Sequence, residues 1–146
     1  SVTGVQTCAL PIWGFSGGSG NWLLYDGTNL ARKEDVVVVA VTHRLNLFGF
    51  LHLADLGAGD RWAQASNVGM LDIVAALGWV KENIAAFGGN PNNVTVFGQS
   101  GGGAKVSCLM AMPQARGLFH RSIVQSGSHI DALTPDEATR HAATQR

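Results

Sequence analysis

The sequence predicts an α/β fold, a parallel sheet with flanking helices. Three observations lead there. Residues 36–41 read VVVVAV, a continuous β-branched run of the kind that fills a strand buried on both faces of a parallel sheet. Between residues 67 and 87 the apolar side chains Met70, Ile73, Leu77, Val80, Ile84 and Phe87 recur three and four positions apart, which makes one face of an amphipathic helix. Turn signals then separate elements in the order strand, helix, strand, helix, strand, helix. That alternation calls for parallel strands joined by right-handed crossovers.

Residues 1–12 stand apart from this pattern. They carry no periodicity and no cap, and Pro11 interrupts their only apolar stretch. Residues 2–12, VTGVQTCALPI, resemble one translation frame of a DNA sequencing adapter joined to a gene. Trp13 then reads as a glycine codon spoiled at the junction, GGG becoming TGG. The expected organisation is a non-native segment over 1–12 and a partial domain over 13–146, truncated at both ends. Such segments are left out of fold reasoning. On this reading the natural N-terminus is missing, so the sequence says nothing about localisation.

The remaining elements follow in order. Residues 15–21 form a Gly/Ser loop. After the helix over 67–87, Gly88 and Gly89 provide its stop, and Asn90, Pro91, Asn92 and Asn93 make a turn. Val94 to Phe97 is a second buried strand. Residues 100–112 form a helix opened by three glycines and closed before Pro113, and residues 121–125 a third strand. Thr134-Pro135-Asp136-Glu137 is a capping box with proline at the first helical position, so a last helix begins there.

Composition narrows the function. One domain with a real core fits 146 residues, whereas two ordinary ones do not. The formal charge is zero and no basic stripe exists, which argues against nucleic acid as a partner. The longest apolar run is far short of the ~20 residues that span a bilayer. Cys8 and Cys108 have no metal-site or disulfide spacing, and Cys108 reads as a small buried hydrophobe. Nothing suggests a metal or an organic cofactor.

Two stretches match G-x-S-x-G: residues 14–18, GFSGG, and residues 98–102, GQSGG. Their settings differ. Ser16 sits in a glycine-rich loop. Ser100 follows VTVF and opens a helix, the strand–turn–helix setting of a nucleophile elbow, in which a strained backbone exposes the serine hydroxyl. Close approach of neighbouring backbone explains the small residues Gly98, Gly102 and Gly103, and the three glycines that open the helix otherwise cost propensity. The bland alternative is a glycine-rich turn with an incidental serine.

Residues 87–102, FGGNPNNVTVFGQSGG, resemble the active-site signature of type-B carboxylesterases, relatives of the cholinesterases. The resemblance runs from about Gly14 to Ser128. It includes Tyr25-Asp26-Gly27, His43-Arg44-Leu45-Asn46, Gly49-Phe50, Asn67-Val68-Gly69 with Asp72, and Gln125-Ser126-Gly127. It implies a partial α/β-hydrolase fold and hydrolysis of a small carboxylic ester through an acyl-enzyme. By position, Ser100 would be the nucleophile and Gly101 would supply one oxyanion N–H. Gly14 would be the remaining glycine of an oxyanion loop in which Trp13 replaces a donor glycine. The resemblance also implies a strand leading into that loop, between the strands at 36–42 and 94–97. Residues 9–13 would occupy that place poorly, if at all.

The same resemblance puts the triad acid and histidine downstream of Arg146. Among the histidines present, His43 reads as a structural hydrogen-bonding residue and His52, His120 and His141 as surface or packing residues. His129 is the least implausible substitute base. Asp131, Asp136 and Glu137 read as loop and helix-start carboxylates, and Asp72 as a structural hydrogen-bonding residue. Two other readings stand beside the esterase: a non-catalytic, cholinesterase-like interaction protein, which would have lost the nucleophile, and an inert truncated chain.

Overall fold

A computed structural model describes residues 6–12, 14–17, 23, 26–56, 60–127 and 132–144. Trp13, Tyr25, Ser128, His129 and Asp131, all named above, lie outside the described residues. Among the described residues, four strands form one sheet: β1 (Gln6–Ile12), β2 (Val37–Val38), β3 (Gly89–Gln99) and β4 (Arg121–Gln125), in the order β2-β1-β3-β4. Every pairing is parallel. Among the described residues, five α-helices accompany them: α1 (Thr28–Glu34), α2 (Asn46–Phe50), α3 (Val68–Asn83), α4 (Gly101–Ala111) and α5 (Pro135–Ala143). The predicted α/β class with a parallel sheet is therefore what the chain adopts.

Helix α3 buries the stripe expected of it: Met70, Ile73, Leu77 and Val80 face inward, followed by Ile84 in a closing 3-10 turn. They meet Cys8 and Leu10 of β1, Val94 and Val96 of β3, and Val106 and Leu109 of α4 in one core cluster. Burying each such side chain contributes about 1.5–3 kcal/mol relative to exposure. The helix ends at Gly88, whose φ of 84° suits glycine and few other residues. Phe87 departs from the expectation. It is 62% exposed, because the tighter 3-10 turn that ends the helix rotates it off the stripe; its ring meets that of Trp79 on the outer surface instead.

Three further differences have physical causes. The run 36–41 is not a long strand buried on both faces: Val37 and Val38, both half-buried, take the ladder positions at the edge of the described four-stranded sheet, and the Val39 N–H adds a bond to the Ala9 carbonyl (2.9 Å). Asn90 to Asn93 belong to the assigned span of β3, yet their turn survives within it. Gln6 pairs with Gly89 and Cys8 already with Val94, so 90–93 bulge out of the ladder, with the Asn92 N–H donating to Asn90 Oδ1. Cys108 is exposed rather than buried, because Lys105, Val106 and Leu109 take the inner face of α4.

The place between β2 and β3 is filled. β1 pairs with β3 from Gln6 to Ile12 and with β2 at Cys8 and Ala9, and Cys8, Leu10 and Ile12 are buried. Of the two expectations, a gap or a poor occupant, the gap is absent, and the occupant is a paired central strand. Pro11 brings no N–H to the ladder, but CALPI is apolar at every position, which a central parallel strand requires. Burial pushes the Cys8 thiol up to about 11, so it stays protonated and packs as a hydrophobe.

Helices α3 and α4 both pack on β3. Along it Val94, Val96 and Gly98 are buried, while the alternate Thr95 and Phe97 are half-buried. One side of the sheet is thus more open, and on β4 Ile123 is half-exposed. Helix α5 starts as predicted, with Thr134 and Glu137 exchanging both capping-box hydrogen bonds.

Candidate active site

Ser100 lies between the end of β3 and the start of α4, at φ 55° and ψ −123°. A residue with a Cβ reaches such a conformation at a cost on the order of 1–3 kcal/mol, and only where the surroundings enforce it. Here they do. The Ser100 N–H donates to the Gln125 carbonyl at the end of β4 (2.8 Å), and the Ser100 carbonyl accepts from Ala104 N–H in the first turn of α4 (3.0 Å). Ser126 has φ 50°, and Gly127 lies so close that any Cβ there would strike the Ser100 carbonyl.

Of the glycines expected to make room at the elbow, Gly98 and Gly103 do so. A Cβ on Gly98 would collide with the carbonyl of Gly102 and come within 2.9 Å of the Gly103 nitrogen. Strand and helix therefore fold back on each other at closest approach, leaving Ser100 at the tip and exposed.

Gly14 and Gly101 are brought to the same place. A Cβ on Gly101 would sit 2.9 Å from the Gly14 Cα and 3.4 Å from the Phe15 nitrogen. The Gly14–Phe15 stretch is held from several sides. Asn46 N–H donates to the Phe15 carbonyl (2.8 Å), and the Phe15 ring meets Phe50 edge-on, with centroids 5.0 Å apart. A cavity of about 340 Å³ opens beside this loop, lined by Phe15, Ser16, Asn46, Phe50, His52 and His141 among others. Ser16 occupies a bend in the loop, without the strand-to-helix turn that holds Ser100.

Sequence reasoning missed Lys105. It is fully buried on α4, where its ammonium donates to the Gly14 carbonyl (2.6 Å) and lies 3.2 Å from His43 Nε2. It also sits 4.4 Å from the ring centroid of Phe15 and 5.0 Å from that of Phe50. Burial pushes its pKa down to about 7. The available signal was one charge in an otherwise apolar inner face, Ala104, Val106 and Leu109.

The histidines have other partners. His43 Nδ1 bonds the Arg44 carbonyl (3.0 Å), and burial lowers its pKa. His52 joins Ser66 (2.6 Å) and Asp55 (2.8 Å). His120 Nδ1 accepts from Val94 N–H (3.2 Å), and His141 is exposed on α5. Asp72 accepts two bonds from the Arg44 guanidinium and one from its backbone N–H. Those bonds hold its carboxyl below the usual range. Among the described residues no cluster of three His, Cys, Asp or Glu could hold a metal, and no helix is long and apolar enough to cross a membrane.

The arrangement has an exposed serine on a strained turn, with the backbone of Gly101 packed against a second loop. Comparison with known proteins matches it to a family. The carboxylesterase family pattern covers residues 13–146. The para-nitrobenzyl esterase of Bacillus subtilis is 48% identical over 126 residues, 86% of this chain and 25% of that protein. Human cocaine esterase is 51% identical over 104 residues, 71% of this chain and 18% of that protein. A crystal structure of a Geobacillus stearothermophilus carboxylesterase superposes with a TM-score of 0.90 at 50% identity, covering 94% of this chain and 29% of that one. The chain thus spans about a quarter of the length of the curated relatives it matches. With a family pattern across nine-tenths of its residues and the same partial α/β-hydrolase sheet, this chain belongs to the carboxylesterase family.

Proposed function

We propose that the chain carries the nucleophile elbow of a serine carboxylic-ester hydrolase, with Ser100 as nucleophile. The Ser100 Oγ attacks the ester carbonyl while a histidine takes its proton. The tetrahedral oxyanion is held by backbone N–H groups, Gly101 from the elbow and Gly14 from the facing loop. Collapse releases the alcohol, which takes the proton back from the histidine, and water then hydrolyses the acyl-enzyme by the same steps. The base and acid of this triad belong to segments downstream of Arg146. The observation that carries the reading is the φ of 55° at Ser100, which sets an exposed serine at the turn between β3 and α4.

The 146-residue chain alone is expected to hydrolyse a short-chain nitrophenyl ester no faster than its Ser100→Ala variant. Triad members act as a unit, so loss of the base removes most of the rate. The full-length protein, with glycine at position 13, should show Ser100-dependent turnover. The assay compares the three with folding checked first. Clear Ser100-dependent turnover by the short chain would mean that a local base serves, and the downstream triad would be wrong.

The adapter origin of residues 2–12 is likewise a proposal. The family pattern begins at Trp13, the position of the inferred junction, while the paired strand β1 speaks on the other side. Genomic DNA sequenced across the codons for residues 12 and 13 decides it: an uninterrupted reading frame there removes the proposal.

A further inference from the structure

We propose that Lys105 is a positioning residue for ester hydrolysis: from inside the fold its side chain sets the orientation of the Gly14–Phe15 peptide that faces Ser100. The proposal rests on the reading of Ser100 as nucleophile and extends it to a residue that the elbow motif does not include.

A lysine with no exposed surface is costly unless its N–H groups are satisfied and its charge is compensated. Among the described residues, contacts that do this lie on or beside the same loop. The ammonium donates to the Gly14 carbonyl at 2.6 Å and lies over the rings of Phe15 and Phe50, whose electron-rich faces favour a cation. A further contact is His43 Nε2 at 3.2 Å. His43 Nδ1 lies 3.0 Å from the Arg44 carbonyl, which can only accept, so the proton is assigned to Nδ1 and Nε2 is left to accept from Lys105.

The geometry links this anchor to the reaction. The carbonyl that Lys105 holds and the Gly14 N–H flank the same Cα, so a bond that fixes the rigid Gly14–Phe15 peptide plane also restricts the adjoining plane that carries the donor N–H. The next carbonyl, of Phe15, is held by Asn46 N–H. Gly101 leaves no slack on the facing side, since even a Cβ there would stand 2.9 Å from the Gly14 Cα. Lys105 is also on α4, the helix that Ser100 begins. One side chain thus ties the oxyanion loop directly to the nucleophile's own helix. A loop released from it would still bind substrate while aligning its donors poorly on the oxyanion.

The test uses the full-length protein, with Lys105→Met, which keeps the length and removes the donor, and Ser100→Ala. Readouts are kcat and KM on a short-chain nitrophenyl ester, the thermal midpoint, and affinity for a trifluoromethyl ketone, whose tetrahedral adduct needs the oxyanion donors. Removing one oxyanion donor typically costs about 10²–10³-fold in kcat. Misorienting the loop should cost Lys105→Met about 10²-fold in kcat, with KM held within about threefold and ketone affinity falling in parallel. If Lys105→Met fails to fold, Lys105→Gln takes its place, with an expected loss of at least about tenfold in kcat at unchanged KM. Unchanged kcat in the folded variant, whatever its thermal midpoint, would reduce Lys105 to a structural pin and overturn the proposal. Turnover that survives in Ser100→Ala would instead overturn the nucleophile assignment.

Discussion

Replacing Ser100 with alanine in the full-length protein is expected to lower kcat on the order of 10⁴- to 10⁶-fold, with the fold intact. Ser16→Ala, at the other G-x-S-x-G match, should stay within about twofold of the parent, since Ser16 takes no part in bond making. The contrast follows from backbone geometry. Ser100 stands at φ 55° between a strand and a helix, whereas Ser16 lies in a bend of an exposed loop. Initial rates on a nitrophenyl ester measure both variants. A Ser16→Ala enzyme as damaged as Ser100→Ala would mean that the motif alone, without its strand–turn–helix setting, had been misread.

Gly98→Val should be strongly damaging at the elbow although it removes no functional group. Its Cβ would meet the Gly102 carbonyl and the Gly103 nitrogen, both backbone atoms of the first turn of α4. No rotamer relieves a backbone collision, so the helix must shift off β3. Overpacking of this kind costs about 1–3 kcal/mol or more, and a displacement of about 1 Å at the nucleophile can cost about 10²-fold in rate. Denaturant unfolding and kcat/KM should therefore fall together. A Gly98→Val protein with wild-type stability and activity would show that the closure around Ser100 is looser than these distances require.

Much of this was legible because the signals were local. The stripe of α3, the strand 121–125 and the capping box at Thr134 each follow from spacing within one element, and each lies where expected. Ser100 was legible because a strand, a glycine-rich turn and a helix appear in unbroken succession. What stayed hidden depends on contacts between distant segments. β1 reads poorly as a strand because of Pro11, yet its neighbours on both sides supply the pairing that its own pattern does not advertise. Helices α1 and α2 have seven and five residues, too short to form without tertiary packing, and neither carries a side-chain cap. The run 36–41 looks like a central strand by composition, but nothing in a run of valines tells an edge from a centre.

Lys105 marks the same boundary at the site itself. In sequence it is one charge on a helix. Its meaning comes from residues 62 and 91 positions away, His43 and Gly14, which only the folded chain brings to it. The ion pair of Arg44 with Asp72 likewise joins residues 28 apart; the hydrogen-bonding character of Asp72 was legible from its place near a helix start, its partner was not.

Covalent capture tests the nucleophile most directly. The full-length protein is incubated with a nitrophenyl alkylphosphonate, whose phosphorus takes the serine oxygen as nitrophenolate leaves, and the labelled peptide is located by mass spectrometry. One phosphonyl group per chain on the peptide containing Ser100, appearing in step with loss of esterase activity, is the expected result. Label on Ser16 or another residue, or full inactivation with Ser100 unmodified, would contradict the assignment of Ser100 as the nucleophile.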